Sequence, residues 1–123
     1  MVKVILRKSR FLVRTKTFSH IDEEGRACYK PTLTLVCGKT FEYLGYKWGI
    51  YRKDHTRDRK RKNDYVMLDL TTGLPVRIDS RRVNILEDLE LASFKYEIKE
   101  YMKDERHAKN VKIYDYLKRG VRK

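Results

Sequence analysis

Apolar and polar positions alternate through the first two thirds of the chain, then give way to helical spacing. Two hairpin patterns stand at the centre. In Phe41–Trp48 (FEYLGYKW) a two-residue turn at Leu44 and Gly45 pairs Tyr43 with Tyr46 and Phe41 with Trp48. That register sets all four rings on one sheet face and puts Glu42 opposite Lys47 on the other. Leucine tolerates a positive φ poorly, so the turn type stays open while the register does not. The second pattern joins Tyr65–Leu70 to Leu74–Ile78 through Thr71, Thr72 and Gly73. A turn of three residues with Gly73 left-handed lines up Val66, Leu68, Leu70, Leu74, Val76 and Ile78, whereas a two-residue turn would split the apolar set. Pro75 cannot donate to a ladder, which marks an edge strand.

Earlier residues repeat the two-residue period. Val2, Val4 and Leu6 form a short strand, Arg7–Arg10 interrupts it, and Phe11–His20 resumes. Asp22–Gly25 is a turn signal, and Pro31–Val36 returns with Leu33, Leu35 and Cys37 on one face. From Asp79 the period changes. Asp79 or Ser80 caps a helix, Val83, Leu86 and Leu89 make one stripe, and Leu91, Phe94, Ile98, Tyr101 and Met102 make another out of phase with it. A break is expected near Asp88–Leu91. Ile113, Tyr114, Leu117 and Val121 give a last short stripe that Gly120 stops. The expected fold is α+β: an antiparallel meander of five to six strands followed by two C-terminal helices over one sheet face.

Length fits one domain over residues 1–123, with the 52–63 loop and the 119–123 tail flexible. Charge changes the picture more than size does. The net value is +13, and it falls in blocks: +6 over residues 1–20, +5 over 52–62, −4 over 83–105 and +6 over 106–123. Residues 52–62 hold seven Lys/Arg against two Asp. Such blocks call for a polyanionic partner, nucleic acid or a nucleoprotein complex. No long apolar run or signal peptide is evident, so no membrane partner is expected. Cys28 and Cys37 read as small buried strand residues of a reducing, cytoplasmic protein.

Catalytic and metal chemistry find little support. His20, His55 and His107 stand at no metal-ligand spacing, and His20 with Cys28 meet only across a hairpin. Asp54, His55 and Asp58 sit among cations without the preorganisation that proton or metal chemistry needs. No cofactor, no metal and no enzyme is expected. The candidate nucleic-acid contacts are Arg52, Lys53, Arg57, Arg59, Lys60, Arg61 and Lys62 of the loop, with Tyr51 and Tyr65 flanking it for stacking. Arg7, Lys8 and Arg10 add to them, with further cations from Arg14, Lys118, Arg119, Arg122 and Lys123. The row Phe41, Tyr43, Tyr46 and Trp48 is read as core beneath the helices rather than as an open stacking platform.

The run Thr40–Ile50 (TFEYLGYKWGI), followed by Asp69–Val76 (DLTTGLPV) and an acidic helix, resembles short uncharacterised phage and mobile-element proteins. The resemblance implies a non-enzymatic protein that occupies a host nucleoprotein, as an anti-CRISPR-like inhibitor does. Such an inhibitor would bind the effector, its guide RNA or target DNA, because its positive charge has the wrong sign for a DNA mimic. The expectation is a small basic protein that contacts RNA or DNA, with a host defence effector as the alternative partner.

Overall fold

The computed structural model describes residues 4–53 and 64–121. Its five strands are β1 (Arg7–Ile21), β2 (Ala27–Tyr43), β3 (Tyr46–Lys53), β4 (Asp64–Asp69) and β5 (Leu74–Asp79), antiparallel in the order β1-β2-β3-β4-β5. Three helices follow: α1 (Arg82–Asp88), α2 (Ala92–Lys103) and α3 (Glu105–Val121). Two expectations are corrected. Residues 4–6 form no strand, and Arg7–Arg10 do not interrupt one; they begin β1, paired with Cys37–Thr40. The helices number three, because the chain turns a second time at Asp104 and α3 then runs through Gly120. The expected break between the apolar stripes falls at Leu89–Leu91.

The central hairpin has the expected register, with Tyr43 opposite Tyr46, Phe41 opposite Trp48 and Glu42 opposite Lys47. Its turn is the primed type: Leu44 has φ 54° and Gly45 φ 81°. Leu44 accepts that backbone, at a cost of about 1–3 kcal/mol, because its side chain packs against the core. Trp48 Nε1 also donates to the Tyr43 carbonyl at 2.9 Å, bracing the turn from within.

The β4–β5 register matches in its outer half, where Val66 faces Ile78 and Met67 faces Arg77. A bulge then slips the pairing by one, so Leu68 faces Pro75 and Asp69 faces Leu74. The predicted six-residue apolar row is therefore broken, and Val76 packs instead against the core beneath the helices. The extra residue lengthens the loop to Leu70–Gly73, and Gly73 is left-handed at φ 70°.

Each sheet face carries a buried cluster. On one, Phe41, Tyr43, Trp48, Ile50 and Met67 meet Ile85, Leu89, Phe94 and Ile98 from the helical region. Trp48 is wholly enclosed, and Tyr43 donates its hydroxyl to the Leu89 carbonyl at 2.7 Å. The aromatic row is core, as expected, except that Tyr46 stands exposed at its end. Arg77 binds Asp88 at 2.7 Å and lies over the Phe94 ring, tying β5 to α1 and α2. On the other face Phe11, Val13 and Leu68 form a second cluster with Val36, Tyr51 and Leu70. Phe11 reaches across β2 to β3, where Gly49 leaves room: a Cβ there would stand 2.8 Å from its ring. The sheet is therefore curled, and the Arg14 N–H closes the curl by donating to the Gly73 carbonyl at 2.9 Å.

Two glycines with similar backbones separate strain from crowding. Gly25 has φ 80° with open space around it, whereas a Cβ on Gly73 would meet the Tyr114 ring at 2.5 Å. Gly25→Ala is expected to cost about 1 kcal/mol and Gly73→Ala about 2–4 kcal/mol, read as the difference in urea unfolding free energy. A pH effect comes from the entry to α3. The Arg106 guanidinium and backbone N–H hold the half-exposed Asp104 carboxyl down to about 2. Its stabilising effect is thus complete above the unfolded value near ~4 and lost as pH falls through about 2. Far-UV ellipticity of Asp104→Asn should match the protonated wild type and lose that acid-dependent step.

Candidate nucleic-acid interface

The helices cover only part of the face they pack on. Where α1 begins, the β1–β3 end of the sheet stays open as a groove of about 620 Å³. Strand pairing builds its wall. Lys8 lies opposite Lys39 and Arg10 opposite Cys37, on the face that also carries Ile50. Arg52 lies opposite Tyr65 on the neighbouring β3–β4 pair, and Arg82 enters from the first turn of α1. Five cations from four segments of the chain thus line one concavity: Lys8, Arg10, Lys39, Arg52 and Arg82. Among the described residues that line it there is no carboxylate. A concave, one-signed surface concentrates its field, so each cation there acts more strongly on an anion than an isolated surface lysine would.

Of the residues expected to bind, Lys8, Arg10, Arg52 and Tyr65 converge in this groove. Tyr51 contributes to its wall, yet its ring belongs to the inner cluster, edge-on to Phe11 with centroids 6.0 Å apart. Burial raises the Tyr51 hydroxyl pKa accordingly. Arg7 points to the opposite face from Lys8 and lines a larger cavity of about 960 Å³ with Phe11, Leu70 and Tyr114. Lys53 closes β3 opposite Asp64. Arg57, Arg59, Lys60, Arg61 and Lys62, with Asp54, His55 and Asp58, lie outside the described residues. Lys118 is engaged elsewhere, with Asp115 at 3.4 Å and over the Tyr114 ring. Lys39 and Arg82 were missed by sequence reasoning. The β1–β2 register alone would have revealed Lys39, and Arg82 required the packing of α1.

The cysteines correct a further expectation. Cys37 is exposed in the groove wall and Cys28 half-buried near the β1–β2 turn, so neither is a core residue. The reason is register: Cys37 shares a face with Leu35, and that end of β2 presents both of them to solvent.

A buried polar centre lies at the far end of the sheet. Asp69, 1% exposed, accepts the Thr71 N–H and hydroxyl on Oδ1 at 2.8 and 2.6 Å. Its Oδ2 takes the Tyr101 hydroxyl at 2.8 Å and His107 Nε2 at 3.0 Å. Because Tyr101 gives its proton to Asp69, Thr72 must donate to the Tyr101 oxygen, at 3.2 Å. Desolvation, then the Asp69 charge, pushes the Tyr101 hydroxyl pKa well up. In this Asp–His–Tyr arrangement all four acceptor positions of the carboxylate are filled by its own fold, with Tyr101 and His107 half-buried around it. Among the described residues no three His, Cys, Asp or Glu side chains group as a metal would require, and no helix is long and apolar enough to cross a membrane.

No family model, curated protein or solved structure matches the chain.

Removing the Tyr101 hydroxyl should cost about 2 kcal/mol, and Asp69→Asn about 3 kcal/mol or more, since it turns an amide toward buried donors. In a double-mutant cycle the two should be clearly non-additive. Additive losses in urea titrations would show that the carboxylate and the hydroxyl act separately.

Proposed function

We propose that the chain is a non-enzymatic nucleic-acid-binding protein that takes the phosphate backbone of RNA or DNA into the groove of Lys8, Arg10, Lys39, Arg52 and Arg82. One observation carries the reading: cations remote in sequence converge there, and around Lys8, Arg10, Lys39 and Arg82 the described lining residues include no carboxylate. Folding like charges together is unfavourable unless an anion later repays it, and a structural role would have interleaved acids. Tyr65 beside Arg52 offers a half-buried ring at the groove edge for a base or sugar. The segment 54–63, with five of the candidate cations, leaves and rejoins the sheet at this same edge, at Lys53 and Asp64. The reading holds for free nucleic acid and for nucleic acid carried in a nucleoprotein complex.

Fluorescence anisotropy with labelled oligonucleotides across a salt series tests it. About five phosphate contacts give a slope of log affinity on log salt near −4. Replacing Lys8, Arg10, Lys39 and Arg82 with serine should flatten the slope by roughly three to four and leave the unfolding transition in place. A flat wild-type salt profile would overturn the proposal. In a Cys28→Ser background, bound oligonucleotide should also slow maleimide labelling of Cys37, which sits opposite Arg10.

A further inference from the structure

Arg14, bound to Asn110 of α3 at 3.0 Å, marks where the β1–β2 ribbon leaves the body of the domain, and from Lys16 to Ile21 β1 is exposed. Its pairing is continuous from Arg7 opposite Thr40 to Phe18 opposite Tyr29, with the first irregularity only beyond Phe18. Alternation therefore puts Lys8, Arg10, Leu12, Arg14, Lys16 and Phe18 on one ribbon face, the face that forms the groove wall. Tyr29, Pro31, Leu33, Leu35, Cys37 and Lys39 answer them from β2. At the far end Phe18 and Tyr29 stand 54% and 59% exposed, edge to face with centroids 6.2 Å apart. Their edge-to-face contact across the strands stabilises the ribbon by about 1 kcal/mol, yet leaves more than half of each residue open to solvent. Leu35, also exposed, continues the apolar floor between them and the groove.

Charge identifies the occupant of this face. Residues 7–21 and 27–40 hold seven Lys/Arg and no Asp or Glu. The acids Asp22, Glu23 and Glu24 are confined to the turn, where Arg26 pairs with Asp22 and Glu24. A protein partner matched to an apolar stripe would not require an acid-free surround, whereas a polyanion would. Exposed rings also discriminate between nucleic acids: in a duplex the bases already stack on each other, and only unpaired bases offer free π-faces. From this combination, and resting on the reading of the groove given above, we infer that the protein binds single-stranded nucleic acid along the β1–β2 ribbon. Phosphates lie in the groove at Lys8, Arg10 and Lys39, and bases stack on Phe18 and Tyr29. The track from Lys8 to Phe18 is about 33 Å long at the strand rise, so it takes several nucleotides at once.

The test uses the full chain with fluorescein-labelled oligo(dT) of about 4 to 16 nucleotides, a range that brackets single-strand sites of this kind, and a duplex with as many phosphates as the longest strand. Affinity should climb with oligonucleotide length until the strand reaches from groove to rings, and the duplex should bind more weakly than the longest strand. Phe18→Ala with Tyr29→Ala should weaken the long strand about ten- to a hundredfold and leave the shortest strand and the duplex unchanged. Phe18→Trp should keep the affinity and show fluorescence quenching on adding oligo(dT), a signal that loss of ribbon stability cannot mimic. If the double alanine variant binds every oligonucleotide as the wild type does, the rings serve a protein partner or none, and the inference falls while the groove reading stands. If the wild type binds no oligonucleotide, the groove reading fails first and takes this inference with it.

Discussion

The buried carboxylate of Asp69 is the constraint on which the rest of the fold depends. A charge this deep is tolerated only when its acceptor positions are filled, and here one loop and the α2–α3 junction fill them. That requirement shapes the Leu70–Gly73 loop, whose backbone turns back on the Asp69 carbonyl. It also fixes where α2 ends and α3 begins, since Tyr101 and His107 lie on either side of Asp104 and must both reach the same oxygen. The loop so shaped offers the Gly73 carbonyl to Arg14 and its open Cα face to Tyr114, whose hydroxyl in turn donates to the Leu12 carbonyl. Sheet curvature and helix placement are thereby set from one point.

The groove follows from that placement. Ile85, Leu89, Phe94 and Ile98 bury themselves over Phe41, Tyr43, Trp48 and Met67, and the helices stop short of the Lys8, Lys39 and Arg52 end of the sheet. The charge of the chain is sorted in the same way. The negative block, residues 83–105, belongs to the covering helices, while the strands left open carry the excess of Lys and Arg. Under the proposed function, a polyanion is repelled from the covered part of that face and drawn to the open part, so orientation precedes contact. The core clusters include none of Lys8, Arg10, Lys39 and Arg82, so replacing these four leaves the packing of the core in place.

Much of the β-structure was legible because it is local. The Tyr43–Tyr46 pairing follows from a two-residue turn and the alternation of rings, and no distant residue can change it. The change of period at Asp79 and the break near Asp88 are likewise written in the spacing of apolar residues. Where local rules met a tertiary demand they gave way. Leu44 took a left-handed backbone because its side chain gains burial, and the β4–β5 ladder took a bulge so that Val76 could join the core under the helices. Arg7–Arg10 resembled an interruption, since four polar residues bury nothing; they are strand residues because β2 supplies hydrogen bonds that do not depend on side-chain hydropathy.

Fold class, the register of the central hairpin and the excess of cations are properties carried by neighbours in the chain, and they can be read from it directly. Only the tertiary structure decided which cations stand together and which aromatic rings remain open. Lys39 and Arg82 join Lys8 and Arg10 through strand pairing and helix packing, and Tyr51 turns inward to Phe11 while Phe18 and Tyr29 stay outside. The physical reason is that charge and hydropathy are properties of a residue, whereas a field in a groove or a free ring face is a property of where several residues come to rest.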